Sequence, residues 1–402
     1  MYGIVSPRDW QLEPATRQMS SVIEAWTGIT YDELERRWRG ATDWLLRQFN
    51  EETGAFHGFY RAIERTFEPP QTVNLIAPMQ LLAAHDRYGD VHLLETARRS
   101  AEWFYYHFVV SHPMSVVQGG VRDTSAPELW IKYTAEFCML NQALYTRTGD
   151  GVYLYRARQA AGFLVQSQRH GFSPKFNTKD EEWEQKGWMA FGRVVEAFLG
   201  LYELTNDAVW RERAIAWGEH ALTLQAKDGC FYLIDMEYYN TDLAADPLRA
   251  LVFLFEETGD ARYLQAARHF GDWHLAHQRP DGAWPLTYDS DGNVVCEIVG
   301  PGDIPNIGIA LLRLYRATKE TRYIRAAINT MRYSISVQVD PGTHSPYADD
   351  PNVAWGFWSW QPHYDYTLSG DQSTLHVRGM MFLTDYLSSL GKPPADAVAI
   401  EP

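Results

Sequence analysis

Residues 278–284 read QRPDGAW, in which a glutamine is followed four residues later by a glycine and six residues later by a tryptophan. Two further stretches have related spacing, QAKDGCF at 225–231 and QVDPGTH at 338–344. A glycine after a helical segment is typical of a helix end, because glycine readily adopts the left-handed conformation that stops a helix. We therefore interpret each stretch as the exit from a helix, with Gly282 breaking the helix and Trp284 beginning a loop.

A series of acidic residues repeats along the chain, and the last three stand eighteen residues before these glutamines. The series is Asp90, Asp150, Asp207, Asp260 and Glu320, at spacings of 60, 57, 53 and 60 residues. A carboxylate at such a position can cap a helix, because it accepts hydrogen bonds from the first free backbone amides. A glycine that can end the preceding helix stands before three of them, at Gly89, Gly149 and Gly259. Each Gly-Asp pair is predicted to be a two-residue joint between consecutive helices.

The residues after each joint follow a helical period. Three residues after the acidic residue stand Leu93, Tyr153, Trp210, Tyr263 and Tyr323, and seven residues after it stand Ala97, Ala157, Ala214, Ala267 and Ala327. Positions with this spacing lie on one face of a helix, and the alanines indicate a close approach to another helix. A looser copy that begins at Thr30 and ends in Gly54 makes six such helices.

A second, more uniformly apolar helix is predicted between each exit and the next joint. These helices span 72–88, 129–148, 187–205, 242–258, 306–318 and 373–390. Uniform hydrophobicity is expected of helices that are covered on both sides. The sequence therefore predicts an all-α fold, an (α/α)6 toroid of six helical hairpins, with a linear solenoid as the alternative. We expect one toroid domain over 30–391, an N-terminal extension over 1–29 that packs on it, and a C-terminal tail over 392–402.

The overall composition and charge of the chain disfavour some classes of binding partner. The chain has 402 residues, of which 46% are hydrophobic, and its formal charge of −15 disfavours nucleic acids and anionic membranes. Neither a secretory signal nor a membrane-spanning apolar run is visible, so we expect a cytoplasmic protein. The three cysteines, Cys138, Cys230 and Cys296, have neither disulfide nor zinc-site spacing, and no metal or other cofactor is expected. The oligomeric state stays open.

Long connections collect at the end of the hairpins opposite the Gly-Asp joints. Such loops on a rigid scaffold are the usual place for a binding site. One of them, TYDSDGNVVCE at 287–297, is predicted to be a β-hairpin around an Asp-Gly turn that projects over the site. Calcium binding by Asp289, Asp291 and Asn293 is the weaker alternative, because the twelfth-position glutamate of a calcium loop is missing. The loops are also rich in aromatic residues, which can stack on sugar rings or pack the loops.

With its repeat, its QxxDGxF/W exits and its aromatic loop face, the chain resembles the six-hairpin toroid enzymes of carbohydrate metabolism. This group includes unsaturated glucuronyl hydrolases, N-acylglucosamine 2-epimerases, several glycoside hydrolase families and toroid polysaccharide lyases. The resemblance implies an active site in the funnel formed by the long loops and the N-terminal ends of the inner helices, without a metal. QRPDGAW also resembles the QW motif of triterpene cyclases, but their DxDD motif is absent, and so are the zinc ligands of lanthionine cyclases.

Candidate catalytic residues are those that the loops bring to the inner helices. Glycoside hydrolysis needs two carboxyl groups, for which we select Asp123, Asp242 and Asp365. The resemblance implies that Asp123 occupies the place in the fold at which glucuronyl hydrolases carry a catalytic aspartate. Asp303 and Asp371 are further candidates, although an aspartate at a helix start is also an ordinary cap.

Other reactions of the same fold would use other residues. A lyase would abstract a proton with His363, Tyr364 or Tyr366, and an epimerase could pair His363 with His376. The residues expected to bind substrate are His57, Tyr60, Arg61, Asn74, Arg122, Lys186, Trp188, Tyr239, Trp284, Trp358 and Trp360. Lys132 could bind a substrate carboxylate, or could pair with Glu136 one helical turn away.

Together these features favour a carbohydrate-active enzyme, a glycoside hydrolase that acts on an oligosaccharide or polysaccharide, with uronate-containing chains among the candidates. A polysaccharide lyase and a sugar epimerase are the alternatives within this class. A non-catalytic glycan-binding toroid and a terpene-cyclase-like toroid are the alternatives of another class.

Overall fold

The computed structural model describes residues 12–113, 115–187, 190–232, 238–241, 245–362 and 365–394. Within these ranges a short helix, α1 (Ser20–Thr27), precedes six pairs of an outer and an inner helix. The pairs are α2 (Tyr31–Arg47) with α3 (Ala77–Tyr88), α4 (Val91–Phe108) with α5 (Ile131–Thr148), α6 (Gly151–Arg169) with α7 (Phe191–Thr205), α8 (Ala208–Leu224) with α9 (Ala245–Thr258), α10 (Ala261–His277) with α11 (Asp303–Thr318), and α12 (Thr321–Val337) with α13 (Gly370–Leu390).

The six inner helices close into a ring. Each contacts the next one along the chain, and α13 contacts α3. The inner helices are buried on all sides over long stretches, as in α7, where residues 191–201 are all buried. The predicted (α/α)6 toroid is therefore confirmed, and the linear solenoid is wrong. None of the helices in the described ranges is both long and apolar enough to cross a membrane.

The predicted joints between consecutive hairpins are present. Gly89, Gly149 and Gly259 have φ of +71°, +69° and +71°, the left-handed conformation that ends α3, α5 and α9. Asp90 Oδ1 then accepts a hydrogen bond of 2.9 Å from the amide of His92. Asp150, Asp207 and Asp260 cap α6, α8 and α10 in the same way, whereas the side chain of Glu320 makes no cap bond.

The glutamine of each later exit ties its hairpin to the next outer helix. In QRPDGAW, Gln278 Nε2 donates to the carbonyl oxygens of Gly282 and of Ala326 on α12, both at 3.1 Å. Gln225 reaches Ala266 on α10 in the same way at 2.9 Å. Gln338 Nε2 donates at 3.0 Å to the carbonyl of Arg37 on α2, and so links the last hairpin to the first. The exit motif thus helps to hold neighbouring hairpins together in the ring.

Replacing Gly282 by alanine is expected to destabilise the protein more than the same change at Gly259. Gly282 has φ of +91°, and a Cβ there would lie 2.3 Å from the Asn329 carbonyl oxygen of α12. Backbone strain and overpacking together should lower the free energy of unfolding by about 3 kcal/mol. Gly259 has φ of +71° and no atom within 4 Å of its Cβ position, so Gly259→Ala should cost only about 1 kcal/mol. Urea unfolding of both variants tests this difference, and equal losses would contradict it.

The loops at the other end form small sheets. We number as loops 1 to 6 the connections 48–76, 109–130, 170–190, 225–244, 278–302 and 338–369. Their strands are β1 (Phe49–Asn50), β2 (Ala55–Phe56), β3 (Tyr60–Arg61), β4 (Thr66–Phe67), β5 (Glu128–Trp130), β6 (Lys175–Asn177), β7 (Glu182–Glu184), β8 (Tyr238–Asn240), β9 (Thr287–Asp289), β10 (Val294–Cys296) and β11 (Thr367–Leu368).

The predicted hairpin is present as β9 and β10, but it belongs to a larger pattern. Asp289 Oδ1 accepts hydrogen bonds from the amides of Asp291 and Asn293, so this carboxylate shapes the turn. Three three-stranded sheets have the orders β11-β3-β4, β5-β6-β7 and β10-β9-β8. In each sheet a strand of one loop pairs with the hairpin of the following loop around the ring. The sequence predicted only one hairpin and missed the other strands, because strands of two or three residues give little sequence signal.

A buried ion pair joins the first and last inner helices at the end opposite the loops. Arg87 Nη2 donates to Asp385 Oδ1 at 2.7 Å and to Oδ2 at 2.8 Å, and both side chains are at most 3% exposed. The amide of Ala15 also donates to Asp385 Oδ1 at 2.7 Å, which fixes the N-terminal segment to α13. Trp26 of α1 donates to the carbonyl of Gly391 at 2.7 Å.

Candidate functional site

Three charged side chains meet across the inner ring just below the loops. Arg193 of α7 stands between Glu136 of α5 and Asp246 of α9. Its Nε lies 2.8 Å from Glu136 Oε1, and its Nη1 lies 2.8 Å from Asp246 Oδ1. All three residues are at most 7% exposed. We refer to Glu136, Arg193 and Asp246 as the axial triad.

The triad follows from a charge pattern that repeats between inner helices. Helix α7 carries Arg193 and Glu196, and α9 carries Asp246 and Arg249, each pair three residues apart on one helix face. The order of the two charges is reversed on α9. Asp246 lies 53 residues after Arg193, and Arg249 lies 53 residues after Glu196. Opposite charges consequently face each other, with Arg249 paired to Glu196 one turn deeper than the triad. Sequence reasoning missed these residues, although charges in the most apolar helices were a usable signal.

The electrostatic environment of Glu136 is unusual for a carboxyl group. Burial raises the pKa of Glu136, while the positive charges of Arg193 and Lys132 lower it. The negative charges of Asp246 and Asp371 raise it further. The net effect is a raised pKa, so Glu136 holds its proton to higher pH than an exposed glutamate. A carboxyl group that keeps its proton to higher pH is suited to general acid catalysis.

Two of the candidate aspartates lie above the triad, at the opening of the inner ring on the loop side. We refer to this opening as the mouth. Asp303 begins α11 and is 7% exposed, and Asp371 lies in the first turn of α13. Gly300 packs close to both Asp303 Oδ2 and the ring of Trp360, which places this partly exposed tryptophan beside the mouth. The mouth is therefore acidic and has an aromatic wall on the α11 side.

Among the candidate residues of loop 1, Asn74 and Tyr60 make structural contacts, whereas Arg61 is exposed. Asn74 Nδ2 donates to the His57 carbonyl at 2.6 Å, and its Oδ1 accepts from the Asp371 amide, so its side chain joins loop 1 to α13. Tyr60 is 1% exposed and donates to Asp350 Oδ2 at 2.7 Å. Burial, together with this bond, raises the pKa of Tyr60 to about 12. Arg61 is exposed on β3, where its Nε donates to Glu68 at 2.6 Å.

His57 is a half-buried residue of loop 1. Its ring stacks on Phe67 with 4.6 Å between ring centroids. Burial lowers the pKa of His57, which favours the neutral imidazole. These contacts explain the position of the ring without a ligand.

Asp123 and Asp365 each shape their own turn. Asp123 Oδ1 accepts from the amide and the hydroxyl of Ser125 at 2.8 and 2.7 Å. Asp365 Oδ1 accepts from the amide and the hydroxyl of Thr367 at 3.3 and 3.0 Å. The hydrogen bonds of both carboxylates stay within their loops, and the structure does not join either one to the axial triad. Arg122 and Lys186 are exposed on the loops.

The aromatic candidates are mostly buried. Trp284 of the exit motif has no exposed surface, and its indole donates to the His274 carbonyl at 2.9 Å. Tyr239 is 2% exposed and its hydroxyl lies 2.8 Å from His274 Nε2. These two rings pack loops 4 and 5 together and are not accessible to a sugar. Trp358 is 3% exposed.

Trp358 also lines a cavity of about 400 Å³ outside the axis, near the exit of α10 and the last turn of α12. Tyr333 and Gln361 contribute to the same cavity. Because its walls come from the outer helix α12 and loops 5 and 6, this cavity is separate from the axial triad.

His376, one of the two histidines that could serve an epimerase, faces away from the axis. Its Nδ1 lies 2.9 Å from Ser334 Oγ of the outer helix α12, and its ring stacks on Phe357. Burial lowers the pKa of His376 to about 3, so the ring is neutral. The other predicted residues, Asp242, His363, Tyr364 and Trp188, lie outside the described residues. In the part of the chain that is described, no three His, Cys, Asp or Glu side chains are grouped closely enough to hold a metal ion.

Comparisons with known proteins show the fold. No protein-family model matches the sequence, and no curated protein matches it. Among solved structures, a D-mannose isomerase has a TM-score of 0.71 at 13% identity, over 88% of this chain and 97% of that one. A cellobiose 2-epimerase from Bacillus thermoamylovorans has a TM-score of 0.68 at 13% identity, over 88% and 98%. An unsaturated glucuronyl hydrolase from Bacillus sp. GL1 has a TM-score of 0.63 at 14% identity, over 87% and 96%. All are (α/α)6 toroids, the architecture described above.

Proposed function

We propose that this protein is a carbohydrate-active enzyme, a glycoside hydrolase that cleaves an oligosaccharide at the mouth of the inner ring. The observation that carries the proposal is the axial triad, in which two carboxyl groups flank one arginine and burial raises the pKa of one of them, Glu136. Support also comes from the structural likeness to enzymes that are named for mannose, cellobiose and glucuronyl substrates.

Each carboxyl group has a role in this proposal. Glu136, whose pKa is raised, donates a proton to the leaving glycosidic oxygen. Asp246, whose negative charge Arg193 stabilises, acts as the second carboxylate and activates water or attacks the sugar. Because both bind one guanidinium group, their oxygens lie within about 8 Å of each other, a range that admits retaining and inverting geometries. The partly exposed Trp360 would stack on a sugar ring beside Asp303.

A sugar epimerase is the second candidate function, because one of the similar structures is named as an epimerase and another as an isomerase. Proton transfer at a sugar carbon would need a base that is unprotonated near pH 7, a task suited to histidine. His376 is neutral but faces α12, and the residues of the axial triad are carboxylates and an arginine. This placement favours the hydrolase over the epimerase.

One substrate panel separates these functions. The purified protein would be incubated with gluco-, manno- and uronate-containing oligosaccharides, including unsaturated uronides, and followed by reducing-end assay, ultraviolet absorbance and sugar NMR. We expect new reducing ends. Loss of the unsaturated chromophore would identify a glucuronyl hydrolase, and its appearance would identify a lyase. A changed epimer ratio without new reducing ends would replace the hydrolase by the epimerase. Binding of a glycan without any product would overturn the enzymatic proposal.

A further inference from the structure

A cavity beside the exit motif, away from the ring axis, has the size of a ligand site. It is the cavity of about 400 Å³ that Trp358 lines, and its walls also include Arg279 and Asp281 of loop 5 and Tyr333 and Val337 of α12. We refer to it as the outer cavity. Its volume lies in the range of roughly 300–1,000 Å³ that is usual for small-molecule sites. Because Asp281 is exposed, the outer cavity is open to solvent.

The repeat of the chain shows that the ring of Tyr333 lacks a usual neighbour. Tyr333 stands thirteen residues after Glu320, and each of the four preceding repeats has an aromatic residue or a histidine at the same position. In those repeats this ring packs against a second ring, whereas Tyr333 has no ring partner in the part of the chain that is described. The four pairs are Trp103–His107, Phe163–Trp183, His220–Phe172 and Trp273–His277, with 4.0–5.0 Å between ring centroids.

The sequence of α12 explains this difference. His107 on α4 and His277 on α10 lie one helical turn after their tryptophans and stack on them. On α12 the corresponding residue is Val337, which has no ring and lines the outer cavity together with Tyr333. The outer cavity thus lies where two other hairpins hold a histidine ring.

The polar groups of the outer cavity are balanced in charge, since its described charged residues are one arginine and one aspartate. Arg279 Nη2 donates to Asp281 Oδ2 at 2.7 Å, and Asp281 Oδ1 accepts from the amide of Ala283 at 3.1 Å, so the exit turn holds the pair in position. The hydroxyl of Tyr333 is buried and has no hydrogen-bond partner among the described residues. Burial raises the pKa of Tyr333, the negative charge of Asp281 raises it further, and Arg279 lowers it, so both charges lie near the phenol.

We propose that the outer cavity binds a neutral hexopyranose unit, with one face of the sugar ring against Tyr333 and its hydroxyl groups beside the Arg279–Asp281 pair. A pyranose ring has an apolar C–H face that packs on an aromatic ring, and each of its hydroxyl groups both donates and accepts hydrogen bonds. A purely apolar ring would leave the Tyr333 hydroxyl unpaired, and an ionic ligand would find no free counter-charge. Because the outer cavity is separate from the axial triad, binding here does not depend on the proposed reaction.

Titration with two thioglycosides tests the outer cavity in solution. The methyl thioglycosides of glucose and mannose have sulfur in place of the glycosidic oxygen, so they resist hydrolysis. Saturation-transfer difference NMR should show saturable binding of at least one of them. Tyr333→Phe should weaken this binding roughly 3–10-fold, because one hydrogen bond is lost. Tyr106→Phe, at a position that is 72% exposed on α4, is the matched control and should leave the affinity unchanged.

Val337→His provides a second variant, which fills the outer cavity with the ring that α4 and α10 carry at this position. The variant should fold, as circular dichroism would check, and should lose the binding that Tyr333→Phe weakens. In soaked crystals, density for a pyranose ring is expected against Tyr333 in the unsubstituted protein and should be absent from Val337→His.

Several results would overturn the proposal. They are sugar density only at the mouth of the ring, no saturable binding of either thioglycoside in solution, density that appears only at the concentration of the soak, and binding that neither Tyr333→Phe nor Val337→His changes. These readouts require no product. Failure here therefore leaves the hydrolase activity to be judged by the substrate panel.

Discussion

Glu136→Gln is expected to lower kcat/KM for glycoside cleavage by about 10²–10⁴-fold, the usual contribution of a general acid. Glutamine has nearly the same shape and its amide oxygen can still accept from Arg193 Nε, so the variant should fold. It cannot donate the proton that the leaving oxygen needs. The measurement is steady-state hydrolysis on the best substrate of the panel described above, with circular dichroism as the check on folding.

The pH profile gives this prediction a second readout. Because burial raises the pKa of Glu136, the protonated and active form persists to higher pH than for an exposed glutamate. Activity should then fall as the pH rises through that pKa, and this alkaline limb should be absent from the residual activity of Glu136→Gln. Glu128→Gln, which changes a carboxylate of β5 paired to Lys175, is the matched control and should leave kcat/KM nearly unchanged. Full activity of folded Glu136→Gln would exclude Glu136 as the acid.

Arg87→Met is expected to lower the free energy of unfolding by about 3–5 kcal/mol, because it leaves Asp385 buried without its counter-charge. The substitution also removes the bond from Arg87 Nη1 to the Ala15 carbonyl and the contact over the Trp38 ring. Since this ion pair joins α3 to α13, the ring should open at that junction first. Denaturant unfolding measures the stability, and amide hydrogen exchange in α3 and α13 locates the loss.

Two further variants distinguish a lost ion pair from a lost side chain. Arg87→Met combined with Asp385→Leu should recover part of the stability, because no unpaired charge remains. Arg17→Met breaks an exposed pair with Asp32 near the same N-terminal segment, and should change the stability little. If Arg87→Met behaved like Arg17→Met, the buried pair would not be the junction that we describe.

The ring was predictable from the sequence because its signals are local and repeated. The cap at Asp90 and the left-handed Gly89 act within one turn of chain, and the same pair recurs at each of three joints. The exit at Gly282 was also predicted, but the partner of Gln278 on α12 was not. That partner is 48 residues away, and a hydrogen bond from a side chain to a backbone carbonyl leaves no residue preference on the accepting side.

The candidate site was much less predictable, for a physical reason. Loop aspartates such as Asp123 and Asp365 were natural choices, yet carboxylates in loops also close turns, and both do so here. The axial triad instead lies inside helices, where charged residues are usually read as exposed. The packing of α7 between α5 and α9 turns those helix faces toward one another, so the pairing of Arg193 with Glu136 and Asp246 required the assembled structure.

The small sheets at the mouth group the six loops of the ring into three pairs. Each sheet binds one loop to the next, so the rim consists of three two-loop blocks, with β11 and β3 joining loop 6 to loop 1. An insertion in one loop would alter the strand register of its partner, and the bridge between Val299 and Gln361 would carry part of a change in loop 5 to loop 6. The loops at the mouth are therefore coupled most closely in three pairs, although the helices repeat six times.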